Sequence, residues 1–154
     1  MSWSMVNFGR HSGKSLPQVI FQDPDWFFSA YEEGMFEEPL RQEADEIYRK
    51  ATSIRIPQPG VKTLVAEYGP SPFKDSFIDL ELVPQNQPHH ADGTLTFRME
   101  VIDLSAPRNF KKYRQIGCKA LLPKIKFYLF GNSRYRLTRK RCEDFFKDNN
   151  NFAL

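Results

Sequence analysis

The chain has 154 residues, 40% of them hydrophobic and 27% charged, the size and balance of one globular domain or two very small ones, which argues against a disordered tail. No apolar run approaches the ~20 residues that span a bilayer, and MSWSMVNFGRHSGK lacks the apolar centre of a signal peptide, so the expectation is a cytoplasmic protein with no membrane contact. The net charge of +3 hides a segregation: residues 1–107 balance to −7, residues 108–141 to +12 without one Asp or Glu, and the remainder to −2.

In chain order, Val6 to Phe8 read as a short strand, and Gly9-Arg10-His11-Ser12-Gly13-Lys14 as a turn with two glycines. Ser15-Leu16-Pro17-Gln18 has the form of a capping box and starts a short helix. Asp23-Pro24 repeats the start signal ahead of Trp26, Phe27, Ala30 and Tyr31, and Gly34 closes that second helix. From Glu37 to Ser53, Leu40, Ala44, Ile47, Tyr48 and Ala51 keep helical phase, with Arg41/Asp45, Asp45/Arg49 and Glu46/Lys50 as i,i+4 pairs on a surface helix. Ile56-Pro57-Gln58-Pro59-Gly60 suits neither helix nor central strand. It separates a helical module, residues 1–55, from residues 60–154, the two standing apart or forming one compact unit.

Thr63 to Tyr68, Ser76 to Val83 and Thr94 to Leu104 predict an antiparallel three-stranded meander, with an exposed polar loop over residues 84–93. Arg108 to Leu122 forms an amphipathic helix with Phe110, Tyr113, Ile116, Gly117, Ala120 and Leu121 on one arc and Arg108, Lys111, Lys112, Gln115 and Lys119 on the other. A restart at Pro123 lets Ile125, Phe127, Tyr128, Leu129 and Phe130 pack in a new phase, and Gly131-Asn132 breaks that helix. Thr138 caps a last helix, with Leu137 and Cys142 as a hydrophobic staple and Phe145 and Phe146 inward. The fold class is α+β: short N-terminal helices with a Gly-rich turn, a three-stranded antiparallel sheet, and basic C-terminal helices.

A stretch of 34 residues with no carboxylate points to a polyanionic partner, DNA or RNA. Arg139, Lys140 and Arg141 fill a first helical turn, where the macrodipole disfavours cations by ~0.3–1 kcal/mol each. A phosphate bound at that helix start, with Arg134 and Arg136 beside it, would offset this; alternatively the cations only solubilise a surface and salt screens the penalty. Lys111, Lys112, Lys119 and Lys126 would contact further phosphates, helped by Arg10 and Lys14, and Tyr113 or Tyr135 would stack on a base if exposed. A second reading is a protein-binding adaptor or inhibitor of a host nucleic-acid machine, for example an anti-defence protein, with the basic helices docked on an acidic protein or nucleoprotein surface.

A third is a metal-dependent nuclease using Asp79, Glu81, Glu100 and Asp103 on adjacent strands. Against it, no Lys follows at the spacing of a Glu-x-Lys motif, and alternating carboxylates are what a solvated sheet face shows. His89-His90 lacks zinc-ligand spacing, Cys118 and Cys142 read as reduced structural thiols, and Gly9-x-x-x-Gly13-Lys14 is one residue short of a P-loop. No catalytic residue, metal ligand or cofactor is therefore assigned.

The Phe8-Gly9-Arg10-His11-Ser12-Gly13-Lys14 turn, with Ser15-Leu16 and Asp23-Pro24-Asp25-Trp26, resembles the small domain at the C-terminus of exonuclease X and in the family of quorum-sensing-regulated virulence factors. Their shared pattern is Phe-Gly-Lys-x-x-Gly-Lys, a short helix, then Asp-Pro and aromatics, and the likeness covers about residues 5–50. Arg10 stands where the family has Lys, and Ser12 where many relatives have another Lys. The resemblance implies a nucleic-acid-associated accessory module of bacterial, phage or mobile-element origin, without a catalytic centre.

Overall fold

The computed structural model describes residues 3–58, 63–70, 78–88, 96–109 and 117–154. Among them are six α-helices and two antiparallel sheets, one of three strands and one of two, an α+β architecture. The chain starts with a closed turn: Met5 bridges Ser15, the Val6 amide donates to the Lys14 carbonyl at 2.8 Å, and the Gly13 amide donates to the Val6 carbonyl at 2.8 Å. Gly9 is required twice over. Its φ of +69° is left-handed, and a Cβ there would come 3.3 Å from Trp26 Cζ2.

Helix α1 (Leu16–Gln22) follows directly, but the capping box does not form. The bridge to Met5 holds Ser15 extended, and its fully buried hydroxyl has no hydrogen-bond partner. Helix α2 (Pro24–Glu32) begins as expected, with Asp23 accepting from the Trp26 amide at 3.4 Å, Pro24 in the first turn and Gly34 left-handed beyond its end.

Helix α3 (Leu40–Ala51) buries Leu40, Ala44, Ile47 and Ala51 along one stripe. Of its three expected charge pairs, Glu46–Lys50 closes at 3.0 Å, whereas Asp45 accepts from the Tyr31 hydroxyl at 2.8 Å. Lys50 is not a surface residue: it is 3% exposed, and its ammonium donates to the Phe146 carbonyl at 2.8 Å and sits 5.4 Å from the Phe152 ring.

The strands β1 (Ile54–Arg55), β2 (Leu64–Pro70), β3 (Ile78–Pro84), β4 (Phe97–Met99) and β5 (Val101–Ile102) correct the expected meander. The large sheet runs β3-β2-β4, so the first long strand is central rather than the second. Burial explains the order. Val65 through Gly69 are all buried, as in a strand covered on both faces, while on β3 Leu80 is buried and Glu81 exposed, as on an edge. In the middle of this sheet the buried Glu67 carboxylate takes the Arg98 guanidinium at 2.7 Å. The third predicted strand is divided at Glu100, with Phe97–Met99 on β2 and Val101–Ile102 on β1.

Helix α4 (Gly117–Ala120) is tied to α2 by buried Asp25, which accepts from the Cys118 amide at 3.1 Å and the Lys119 amide at 2.9 Å. Helix α5 (Leu122–Phe130) restarts with Pro123 in its first turn and ends at Gly131, φ +79°. It buries Ile125 but leaves Phe127 53% exposed, against the expectation that Phe127 packs inward. Helix α6 (Arg139–Lys147) is capped by Thr138 and buries Cys142, Phe145 and Phe146. The chain end then returns to β1: Ile54 bridges Phe152, and the Ala153 amide donates to the Ser53 carbonyl at 2.8 Å. One buried cluster takes residues from both sides of residues 56–60, and in it Phe21, Phe145, Phe146 and Phe152 make edge and stacked contacts at 5.4–5.5 Å.

Candidate nucleic-acid interface

The cations of the N-terminal turn are bonded locally. Arg10 is exposed, and its guanidinium meets Asp23 Oδ2 at 2.6 Å. His11 is buried, with its ring edge-on to Trp26 at 4.9 Å and Nε2 at 2.9 Å from the same Asp23 oxygen. Lys14 lies 3.3 Å from His11 Nδ1 and donates to Gln22 at 2.9 Å. An ammonium has only donors, so Nδ1 accepts and the Nε2 proton goes to Asp23. Burial pushes the Asp23 carboxyl up, but the hydrogen bonds from His11 and Arg10 and the Arg10 charge outweigh it, so the group lies below its ordinary value. This arrangement ties the turn to the start of α2, and it commits Arg10 and Lys14 to the fold before any ligand.

The C-terminal cations divide into two groups. Gly131 ends α5 in left-handed geometry, and residues 132–138 carry Arg134 and Arg136 exposed on either side of Tyr135. Among the described residues neither arginine side chain has a carboxylate partner. In the first turn of α6 the dipole penalty is met from within: Arg139 pairs with Glu143 at 2.8 Å and Lys140 with Asp144 at 2.6 Å. Arg141 donates to the Arg136 carbonyl at 2.8 Å. The carboxylates one turn on therefore offset the dipole penalty at this helix start without a bound phosphate.

Arg141 also covers the Tyr135 ring at 4.7 Å, and Tyr135 stacks on Phe130 at 4.7 Å with the planes 10° apart. This Phe130–Tyr135–Arg141 stack forms one wall of a cleft of about 660 Å³. Arg55 and Asn150 face it from the β1 and chain-end side. Nothing local marks these two residues: they stand 95 positions apart and come together because the chain end pairs with β1.

Lys126 lies close enough to Cys142 to act on its thiol, which places it beside α6. Lys119 is exposed on α4. Lys111, Lys112 and Tyr113 lie outside the described residues, as do His89 and His90. No known family, curated protein or solved structure matches this chain.

The acidic candidates do not converge. Asp79 and Glu81 are on β3 and Glu100 follows β4, with β2 lying between, so they are not on adjacent strands as expected. Asp103 follows β5 and is committed to the Ser105 amide and hydroxyl at 2.8 and 2.6 Å, while burial raises its carboxyl above the ordinary value. Among the described residues no three His, Cys, Asp or Glu come together in a form that could hold a metal ion. Both cysteines are free and buried. Burial, then Asp25, drives the Cys118 thiol up, and burial pushes Cys142 up to about 12, so neither is placed as a nucleophile. No helix among the described residues is long and apolar enough to cross a membrane.

Proposed function

We propose that this chain is a non-catalytic nucleic-acid-binding accessory protein whose phosphate contacts come from the end of α5, the segment 131–138 and α6. The observation that carries the reading is the pair Arg134 and Arg136: exposed, flanking an aromatic, and without carboxylates among the described residues, while Arg139 and Lys140 just beyond them are ion-paired. Phosphate contacts of this kind position a nucleic acid without reading its bases. Binding is therefore weakly sequence-specific and falls with salt. Fluorescence anisotropy of labelled DNA and RNA across a salt series tests it; an affinity flat in salt refutes it. The kinship of residues 5–50 with the exonuclease X C-terminal-like domain belongs to the same proposal.

One observation favours a protein-binding adaptor as the second reading: Phe127 is 53% exposed on a helix that also carries Lys124 and Lys126. A pull-down with and without nuclease separates the two. Partners that vanish on nuclease treatment fit direct nucleic-acid binding, and partners that survive fit the adaptor.

A further inference from the structure

We propose that the cleft beside Tyr135 seats one unstacked base of a single-stranded nucleic acid, base inward, with the adjoining phosphates held outside by Arg134 and Arg136. This rests on the nucleic-acid reading and deepens it by naming the form of the strand.

Three observations carry it. The first is size. At about 660 Å³ the cleft falls within the range of small-ligand sites, and a base can enter only after leaving its stack. The second is the wall. Phe130 and Arg141 both engage the Tyr135 ring, so Tyr135 is not the open stacking platform expected from the sequence. The flat group presented in its place is the Arg141 guanidinium, held over the tyrosine and anchored by its bond to the Arg136 carbonyl. Guanidinium planes stack on unpaired bases as aromatic rings do.

The third is the charge inside. Arg55 and Arg141 share the cleft with Asp144 and Asp148, so its walls carry no surplus of positive charge. A phosphate placed there would face two carboxylates, whereas the amino groups of adenine, cytosine or guanine donate to a carboxylate readily. Asp144 is engaged by Lys140, but Asp148 uses only Oδ1, for the Asn150 amide at 3.0 Å. Among the described residues its other oxygen and the Asn150 side chain make no hydrogen bond, which leaves an acceptor and an amide for a base edge. Acidic groups within and free arginines without fix the orientation: the base goes in and the backbone stays out. Thymine and uracil, which lack an exocyclic amine, are the disfavoured bases.

The test is anisotropy of the full chain with labelled homopolymers of deoxyadenosine, deoxycytidine and thymidine, a deoxyadenosine–thymidine duplex, and free adenosine monophosphate as competitor. Arg141→Lys keeps the charge and loses the plane, and Asp148→Asn keeps the shape and the turn acceptor while losing the charge. The expected result is tighter binding of the amine-bearing single strands than of thymidine or duplex. Arg141→Lys should weaken the single strands about fivefold or more and leave the duplex unchanged, and Asp148→Asn should narrow the preference over thymidine. Equal binding of single strand and duplex, with Arg141→Lys at wild-type affinity, overturns the cleft assignment and leaves nucleic-acid binding standing. An unaltered base preference in Asp148→Asn overturns the base-inward orientation. Displacement of the strand by an equal nucleotide concentration of adenosine monophosphate reassigns the cleft to a free nucleotide. Absence of binding to every nucleic acid at low salt removes the proposed function, and this inference with it.

Discussion

Removing Arg134 and Arg136 together should change how binding responds to salt, and the structure sets the size of the change. Three cations at this end of the molecule lie outside the cleft and have no carboxylate partner among the described residues: Lys126, Arg134 and Arg136. Each phosphate neutralised on a single strand contributes about −0.7 to the slope of log affinity against log salt, so three give about −2.1. Between about 50 and 200 mM salt that slope is roughly an 18-fold loss of affinity, and the double variant Arg134→Ala/Arg136→Ala, left with about −0.7, should lose roughly 3-fold. Neither side chain packs into the core, so the melting transition should stay within about 0.5 kcal/mol of wild type. Arg41→Ala/Arg49→Ala is the charge-matched control, because both arginines are exposed on α3 and their loss alters net charge equally. The assay is anisotropy with a labelled single strand, each variant titrated at several salt concentrations. If the control flattens the slope as much as the test pair does, the protein binds through its total charge and no particular face is involved. If neither variant flattens it, these arginines do not touch phosphate.

Three further outcomes follow from the same geometry. Gly9→Ala should destabilise more than Gly13→Ala: left-handed backbone costs a side chain about 1–2 kcal/mol at either site, but only at Gly9 does the added Cβ also press on Trp26, at 3.3 Å, and chemical denaturation of the two variants compares them. Asp23 has a carboxyl held below its ordinary value of 3.8. It therefore stabilises the fold above that pH, and the contribution is lost as pH falls through the lower folded value. Asp23→Ala should cost about 0.5–2 kcal/mol at neutral pH from the lost cap alone, and its stability should fall less steeply on acidification than that of wild type, as acid-titration melts would show. Iodoacetamide at mildly alkaline pH should leave Cys118 and Cys142 unmodified in the folded chain and alkylate both in denaturant; mass spectrometry reads the result, and rapid native labelling of either would refute the burial that raises their thiols.

What was legible in the sequence is what local physics decides. Asp23-Pro24 starts α2, Gly131 stops α5, and Thr138 caps α6 with Leu137 and Cys142 in contact, because cap, turn and staple are each settled within about five residues. The failures share the opposite cause. Ser15 has the right neighbours for a capping box, yet its conformation is set by a bridge to Met5. Lys50 looks like half of a surface pair, yet the carbonyl that draws it inward belongs to Phe146, 96 residues on. Strand order is not legible from alternation within any one strand, because the mark of the centre is the unbroken burial of Val65 to Gly69, which the neighbours on both sides create. At the candidate site the cations were legible as composition. Which of them remain free was not, because that depends on where Glu143, Asp144 and Asp23 fall in space.

The carboxylate-free stretch has one composition and two uses. Near its start, acids of the front half reach across: Glu32 holds the Arg108 guanidinium with bonds of 3.1 and 2.7 Å, and Asp25 accepts the Cys118 and Lys119 amides. These contacts join the helical N-terminal part to the C-terminal part, and among the described residues they neutralise Arg108 while the Lys119 side chain stays exposed. Past Gly131 no acid of the front half forms an ion pair with the stretch among the described residues, and the acids that do arrive, Glu143 and Asp144, come from α6 itself and take only Arg139 and Lys140. Arg108 is thus turned inward to an acid of the front half, whereas Arg134 and Arg136 are displayed outward, in the segment that adjoins a cleft walled by a stacked guanidinium. A purely solubilising surface has no need to place its unpaired arginines in the segment that walls such a cleft, and this coincidence is what supports the proposal that the segment from Arg134 to Arg141 meets a polyanion.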